Sequence, residues 1–420
     1  MSDKSSSMIQ RAVLMLIVFS ALVSAAGAQK ERVVYAFCPR SGCSDGAYPQ
    51  AGLAFDQKGN LYGTTSTGGL YSPSCLDGTC GVVFKLTPDG KETVLHNFCA
   101  ESGCTDGSSP IAGLVLDQRG NLYGTTYYGG AYGAGAVFKL TPTGKYTVLH
   151  SFCAQTDCTD GASPIAGLVL DQKGNLYGTT YNGGAYGFGS VFKLTPTGKE
   201  KVLYSFCPQS GCIDGESPYA GLVLDLNGNL YGTTTQGGSN TTDCVFGCGV
   251  VFKLTPEGKE TVLYNFCSQT YCADGAEPYA GLVLDQKGNL YGTTVEGGAY
   301  AYGVAFKLTP ESKETILYTF CAETNCTDGL GPAAGLVFDQ KGNLYGTTEY
   351  GGAPRDSGVA FKLTPEGKET VLYSFCWLDN CADGEYPMAA VVFDQKGNLY
   401  GTTYHGGAYG NAGVIFKLTP

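Results

Sequence analysis

Basic and catalytically versatile residues are scarce in this sequence. Only 26 of its 420 residues are Lys or Arg, against 37 Asp or Glu, giving a formal net charge of −11. No basic cluster breaks that acidic balance, which excludes nucleic acid and anionic lipid as expected partners. Three histidines occur. His96 and His150 stand where other repeat units carry Tyr204, Tyr264, Tyr318 and Tyr373, so they read as substitutions at a structural position; His405 lies alone in a variable loop. No Ser-His-Asp set in a recognisable context, phosphate-cradling loop or His-Glu-x-x-His motif is present. The single Trp, Trp377, falls between Cys376 and Cys381, either as a ligand platform or as a cover for a disulfide. No apolar run of membrane length follows residue 23, so no membrane span is expected in the mature chain. The run before it, residues 12–23, follows Lys4 and Arg11 and precedes Ala26-Gly27-Ala28. That is the plan of a signal peptide over residues 1–28, with a single mature domain over 29–420. The expected destination is the periplasm or the cell exterior. No C-terminal sorting tail is expected, because the sequence stops at Pro420 inside the last repeat.

Cysteine, by contrast, is abundant. All eighteen fall into nine close pairs: Cys38/Cys43, Cys75/Cys80, Cys99/Cys104, Cys153/Cys158, Cys207/Cys212, Cys244/Cys248, Cys267/Cys272, Cys321/Cys326 and Cys376/Cys381. An even count in an oxidising compartment reads as disulfides. Metal binding by thiolates is the rival reading, and it needs two pairs brought together. Bridges that close such short loops are expected to stiffen the loops more than they hold the fold.

The dominant feature is Gly-Asn-Leu-Tyr-Gly-Thr-Thr, which begins at Gly59, Gly120, Gly174, Gly228, Gly288, Gly342 and Gly397. The steps between copies are 61, 54, 54, 60, 54 and 55 residues. Such a period marks a repeat architecture. Each unit reads as an apolar first strand ending in Asp, a Gly-Asn turn and a Tyr/Thr-rich second strand. A Gly-Gly loop, an alternating Phe-Lys-Leu-Thr third strand, a Pro-x-Gly turn and a fourth strand follow. The 63 glycines fall at fixed turn positions in this pattern. Four short antiparallel strands in each of seven units predict an all-β, seven-bladed β-propeller. The mature chain opens on a fourth-strand match, Arg32 to Phe37, and closes on a third-strand match, Val414 to Leu418. The N-terminal strand is therefore expected to complete the last blade and close the ring, removing two sheet edges. The other reading, a linear solenoid, would need caps that the sequence does not offer.

The heptapeptide, its Gly-Gly, its Phe-Lys-Leu-Thr-Pro and the Asp-Gly-x-x-Pro that follows resemble the GloVer tandem repeat of exported bacterial proteins, over essentially the whole mature chain. That resemblance implies export and a propeller-like array, and brings no catalytic residues. The family is described as choice-of-anchor, and in this chain no anchor is expected. The strand–Asp–turn rhythm is also similar to NHL-type propellers, which implies that the apolar run is the innermost strand.

In such a blade the second-to-third loop and the outgoing inter-blade loop share one face. Nineteen acids fall there, against Arg40 and Arg355 alone, whereas the tight-turn face is nearly balanced. The disulfide loops lie on the same acidic face, among tyrosines that vary from blade to blade. Variable loops on a repeated scaffold are where binding is usually placed, and Tyr beside Gly and polar groups suits carbohydrate or protein partners. The candidate ligand-binding residues are Tyr127, Tyr128, Tyr181, Glu296, Glu349, Tyr350, Trp377, Tyr404 and His405. The Asp of each Asp-Gly step (Asp45, Asp106, Asp160, Asp214, Asp274, Asp328, Asp383) reads as a turn cap. A Ca²⁺-binding carboxylate ring is the alternative, so the expected cofactor is none or Ca²⁺.

The functional expectation is a monomeric, exported binding module. It would engage a glycan, a peptide or an envelope protein on the acidic, Tyr- and disulfide-bearing face. The alternative is a polysaccharide lyase or hydrolase that uses carboxylates at the central mouth. Glu296 and Glu349, whose counterparts in other units are mostly uncharged, are the acids to which that reading points.

Overall fold

The computed structural model describes residues 30–75, 79–240 and 244–419. The signal-peptide reading of residues 1–28 lies outside the described residues. Seven four-stranded antiparallel sheets form the seven blades. Blade three shows the plan, with strands Val169–Leu170, Leu176–Thr180, Ser190–Leu194 and Glu200–Ser205. The other blades span 54–97, 115–151, 223–265, 283–319 and 337–374. The seventh joins 392–419 to the N-terminal strand Lys30–Ala36, which pairs antiparallel with Val414–Thr419. Ring closure follows the reading of the two chain ends.

The first strand is shorter than the sequence suggests. Only two residues pair in each blade, and both are half-buried. The Ala-Gly-Leu before them has left the sheet to line the axis, where neighbouring blades touch through backbone. A Cβ on Gly221 would stand 3.2 Å from the Gly167 carbonyl oxygen, and one on Gly113 at 3.2 Å from that of Gly52. That closeness explains glycine at a position the apolar run makes unexpected.

The heptapeptide supplies both the turn and the glue. In blade four Asp225 Oδ1 accepts the backbone N–H groups of Asn227 and Asn229, while Oδ2 accepts from the Asn229 amide (2.7 Å) and the Tyr231 hydroxyl (3.2 Å). Burial pushes this carboxyl up, but the hydrogen bonds together outweigh it and hold it below the usual Asp range. The Lys253 ammonium lies over the Tyr231 ring, 5.6 Å from its centroid, and the same pair recurs in every blade. The central Gly of Leu-Tyr-Gly-Thr-Thr lies beneath two apolar side chains: a Cβ on Gly178 would sit 2.8 Å from Leu168 and Phe192 alike.

The first Thr of each copy then crosses to the next blade. Its hydroxyl donates to the Ala carbonyl before the neighbour's axial residue, a glycine in six blades and Ala390 in the seventh, as in Thr179 to Ala220 at 3.2 Å, and Thr402 to Ala51 at 3.1 Å closes the ring. Seven edge-to-face Phe pairs span the same seams. Phe37–Phe84, Phe206–Phe252 and their equivalents keep centroids 4.8–5.3 Å apart, with all fourteen rings buried.

Further out, the Asp of each Asp-Gly step is enclosed in the seam. Asp214 Oδ2 accepts the Tyr204 hydroxyl (2.8 Å) and the Cys207 N–H (3.0 Å). In two seams His replaces that Tyr, His96 lying 3.1 Å from Asp106 and His150 3.3 Å from Asp160. These seven Asp, read from sequence as acids of the loop face, are buried in the seams beneath it. Beside them sits the glutamate that opens the next blade's fourth strand. Glu31, Glu92, Glu200, Glu260 and Glu314 are each raised to about 7, and Glu369 to about 8, by burial first. Each has at least one buried carboxylate oxygen without a partner among the described residues. Glu92 stays raised although the half-exposed Arg40 lies 3.2 Å away, because burial outweighs that attraction. The second blade carries Tyr146 instead, stacked on His96 at 3.8 Å.

All nine cysteine pairs are bonded as their spacing predicts: Cys38–Cys43, Cys75–Cys80, Cys99–Cys104, Cys153–Cys158, Cys207–Cys212, Cys244–Cys248, Cys267–Cys272, Cys321–Cys326 and Cys376–Cys381. Their setting adds a second contact to the expectation that they stiffen loops. Cys158 and Cys326 do not lie in plain loops: they end the 3₁₀ turns Thr156–Cys158 and Thr324–Cys326, half-buried and with left-handed backbone at φ 53° and 50°. The carbonyl of Cys158 accepts the N–H groups of Gly161 (2.8 Å) and Gly184 (3.0 Å), and that of Cys326 accepts those of Gly329 and Gly352, both at 2.9 Å. The second cysteine of every seam pair repeats this joint. It ties the Asp-Gly step to the Gly-Gly loop, because the disulfide holds that carbonyl in a conformation L residues rarely adopt. These bridges therefore fasten two segments of the blade together.

Two outcomes follow from this packing. Gly178→Ala forces a methyl into Leu168 and Phe192 and is expected to cost about 1–3 kcal/mol in urea denaturation, as overpacking does. The seam glutamates make stability fall as pH rises. Their folded pKa lies above the ordinary 4.5, so the folded chain holds the extra protons; this stabilisation is complete below about 4.5 and lost on rising through about 7. The turn aspartates act oppositely, losing their contribution as pH falls through the acid range. Thermal melts should therefore peak at mildly acidic pH. Glu260→Gln should raise the melting temperature at pH 8 and change it little at pH 5.

Candidate functional site

The loop face is fixed by short bridges between the residue after each Asp-Gly and the second residue after each Thr-Thr, such as Ala276 with Glu296 and Leu330 with Tyr350. These bridges hold the start of each variable loop near the axis. The incoming Asp-Gly-x-x-Pro segment then presents the residue after its proline to the central opening. Gln50, Ile111, Ile165, Tyr219, Tyr279, Ala333 and Met388 all line one depression of about 490 Å³, with one residue from each of the seven units.

The depression is lopsided. Val295 and Glu296 from blade five, Leu330, Gly331, Glu349 and Tyr350 from blade six, and Glu277 complete its lining. Three carboxylates and three tyrosines thus gather on the side of blades four to six, while Ile111, Ile165 and Met388 form an aliphatic wall opposite. No Lys or Arg is among the lining residues. Tyr219 and Tyr279 pack edge to face at 4.9 Å, and Tyr181 approaches Tyr219 at 6.2 Å from the rim. Burial, and then the neighbouring Glu296 charge, raise the Glu277 carboxyl. The Tyr350 hydroxyl is pushed up to about 12 by its hydrogen bond to Glu349, with burial and that charge adding to it. Burial is also the main cause that raises Tyr219 and Tyr279.

Of the residues singled out from sequence, Glu296, Glu349 and Tyr350 line the depression and Tyr181 borders it. The others lie elsewhere on the face. Tyr127 and Tyr128 pack on each other at 4.3 Å. Tyr404 and His405 cluster with Tyr48 and Tyr386, with His405 Nδ1 3.2 Å from the Asn411 carbonyl. Trp377 is exposed on its disulfide loop, where its backbone N–H donates to Asp383. No cysteine lines the depression; Cys158, Cys326 and their equivalents belong to the scaffold that carries it. Further from the axis, Tyr71, Tyr132, Tyr186, Phe246, Tyr300 and Tyr409 form an interrupted outer rim of exposed aromatics.

Sequence reasoning missed the seven post-proline residues and Glu277. The signal was present: between an invariant Pro and an invariant Ala, one position runs Gln, Ile, Ile, Tyr, Tyr, Ala, Met. A single variable residue inside a fixed segment marks a side chain released from scaffold duty.

Chemically, the depression can hold a ring or an apolar stem against Tyr and Ile, with a cationic group directed at Glu277, Glu296 and Glu349. Glu277, raised by burial first and then by the Glu296 charge, also forms with it an arrangement able to exchange a proton.

Comparison with solved structures gives propellers at low identity. The bacterial surface protein PorZ of Porphyromonas gingivalis, described as a component of the type-IX secretion system, aligns at TM-score 0.52 and 13% identity. That alignment covers 89% of this chain and 46% of PorZ. A proposed 6-phosphogluconolactonase from Bacteroides uniformis aligns at TM-score 0.47 and 16% identity, over 77% and 83% of the two chains. A proposed gluconolactonase aligns at 0.42 and 14%, over 94% and 92%. These likenesses concern the fold alone. Comparison with curated proteins gave no match. The model of the Gloeobacter/Verrucomicrobia repeat matches residues 22–246 and 241–420. With its seven concordant units and closed ring, this chain belongs to the Gloeobacter/Verrucomicrobia repeat family.

Proposed function

We propose that this propeller is an exported binding module whose ligand enters the central depression of the loop face. The observation that carries the reading is asymmetry. A scaffold repeated seven times places chemically different residues at the same axial position, and concentrates Tyr219, Tyr279, Glu277, Glu296, Glu349 and Tyr350 on one side. The ligand this lining fits is a positively charged group on a ring or apolar stem, such as an amino-sugar unit of a glycan or a basic side chain of a peptide. Export is supported by nine disulfides, and among the described residues no helix is long and apolar enough to cross a membrane. A second reading, polysaccharide lyase or hydrolase, draws on the Glu277–Glu296 pair, in which one carboxyl is raised beside another.

A panel of amino-sugar glycans, peptidoglycan fragments and basic peptides, tested with and without Ca²⁺, checks the first reading. Binding should weaken at least tenfold in Tyr219→Ala/Tyr279→Ala and in Glu296→Gln/Glu349→Gln, and stay unchanged in Tyr127→Ala/Tyr128→Ala. A uniformly negative panel, or binding indifferent to the axial substitutions, would sink it. New reducing ends or unsaturated products from any bound glycan, lost in Glu277→Gln, would move the assignment to the second reading.

A further inference from the structure

Two of the nine disulfides have no counterpart in the other blades. Cys75–Cys80 and Cys244–Cys248 belong to inserted second-to-third loops, in blades one and four. Each packs against the seam disulfide that follows its own blade, Cys99–Cys104 or Cys267–Cys272. At each place the four sulfurs lie within 4.8 Å of one another. Among the described residues four cysteines meet nowhere else. Cys207–Cys212 and Cys376–Cys381 have only Glu216 and Glu385 beside them.

This is the condition that paired cysteines must meet to hold a metal ion. A tetrahedral zinc with Zn–S near 2.3 Å needs sulfurs roughly 3.8 Å apart. Four sulfurs inside a 4.8 Å cluster are already close to that spacing, and opening each S–S bond lets the two sulfurs of a pair move apart to meet it. The surroundings suit it. The first cluster is buried against Val83, Phe98 and Leu114, and the Ser72 hydroxyl lies 3.4 Å from Cys99 Sγ. A hydroxyl at that place is a donor to a metal-bound thiolate, of the kind that orients structural ligands. In the second cluster Cys248 and Cys267 are buried, and the Asn240 amide ties the inserted loop to the Cys267 carbonyl.

We propose that in the reduced chain these two clusters are tetrathiolate sites for Zn²⁺, one beneath each insert. A phosphine or dithiol reductant supplies two electrons per disulfide; with a phosphine, the phosphorus takes an oxygen from water and two thiols form. The four thiols of a cluster then release four protons as they bind one Zn²⁺, leaving a site of net charge −2. Re-oxidation by a disulfide oxidant removes four electrons, restores both S–S bonds and expels the ion. Metal occupancy and disulfide bonding therefore exclude each other at these two places. A lone seam pair offers too few thiolates for a closed zinc site, so the inserts create the capacity.

The test uses the full chain, reduced by a trialkylphosphine in metal-free buffer with circular dichroism recorded on the same sample. Titration with Co²⁺, followed by displacement with Zn²⁺, reads the tetrahedral thiolate bands and the stoichiometry. Two equivalents per chain are expected. Cys75→Ser/Cys80→Ser and Cys244→Ser/Cys248→Ser should each remove one, weakening that site at least a hundredfold. Cys153→Ser/Cys158→Ser, which touches a lone pair, should leave both. Absence of tetrahedral thiolate bands would overturn the proposal. So would a stoichiometry above two that falls equally whichever pair is removed, as an unfolded polythiol would give.

Discussion

Each blade is held to the next by a threonine hydroxyl that donates to an alanine carbonyl across the seam, and this bond fixes the geometry on which the ring depends. The acceptor carbonyl immediately precedes the axial residue, a glycine in every blade but the seventh, where Ala390 stands. Its distance therefore sets how closely adjacent inner segments approach, and the approach is tight enough that a methyl on Gly221 would crowd the neighbouring carbonyl. Seven equal steps must also return to the start, which Thr402 achieves by reaching Ala51. A change in one step would displace every later blade. The invariance of Gly-Asn-Leu-Tyr-Gly-Thr-Thr follows from this: Asn and Tyr brace the turn aspartate, Gly admits Phe and Leu, and Thr makes the crossing. No position in it is free to vary.

The fold was legible because its evidence is redundant. Seven copies of one pattern, with a fourth-strand match at one end and a third-strand match at the other, leave a closed ring as the arrangement that pairs every strand. What was not legible depends on distances between units. Ala-Gly-Leu-Val-Leu looks like one buried strand, yet only its last two residues pair, because the glycine serves the axis and not the sheet. The Asp-Gly aspartates look like loop charges, yet each is enclosed by a Tyr or His from the preceding blade and by backbone N–H groups. Close cysteine pairs announce disulfides, yet nothing in their spacing shows that the carbonyls of Cys158 and Cys326 collect two loop segments each. The seam glutamates open fourth strands that appear exposed in sequence; Glu92 is buried and the others are half-buried. At the mouth, Glu296 and Glu349 could be picked out as acids without equivalents. Tyr219 and Tyr279 could not, since Tyr is common throughout the chain and its axial placement comes from the proline before it.

Those seams also explain an apparent extravagance of acid. A chain of net charge −11 sets a buried Asp beside a buried or half-buried Glu at six of its seven joints. The pair is tolerable because the two carboxyls differ in surroundings. The Asp accepts hydrogen bonds from Tyr and from backbone, whereas the Glu keeps an unpartnered oxygen and is raised by burial toward neutrality. A proton held by the Glu removes the repulsion. The second blade shows the constraint from the other side. There Tyr146 takes the place of Glu and stacks on His96, a flat neutral group against a flat partner, and no carboxyl has to be kept protonated. His150 next door retains Glu200, so the His replacement by itself does not require the Tyr.

The same packing logic locates the ligand and argues against spreading it over the face. Loop tyrosines such as Tyr132 and Tyr300 are exposed, and Tyr recurs at that one place after Gly-Gly in five of the seven units, which fits solubilising loop tips as readily as a contact surface. The post-proline position differs because it is the innermost side chain on a backbone that cannot move. The proline before it packs against the neighbouring blade's loop glycine, as Pro218 does against Gly189 and Pro278 against Gly249. A side chain on such a rigid base loses little entropy on meeting a ligand and keeps its direction. Seven such positions converge on one opening, so a change from Ile to Tyr at a single unit alters the mouth without straining the ring. Placement of Tyr219 and Tyr279 in adjacent units, above Glu277 and Glu296, is the kind of local change this scaffold admits at low structural cost, and it gives one side of an otherwise symmetric ring its own chemistry.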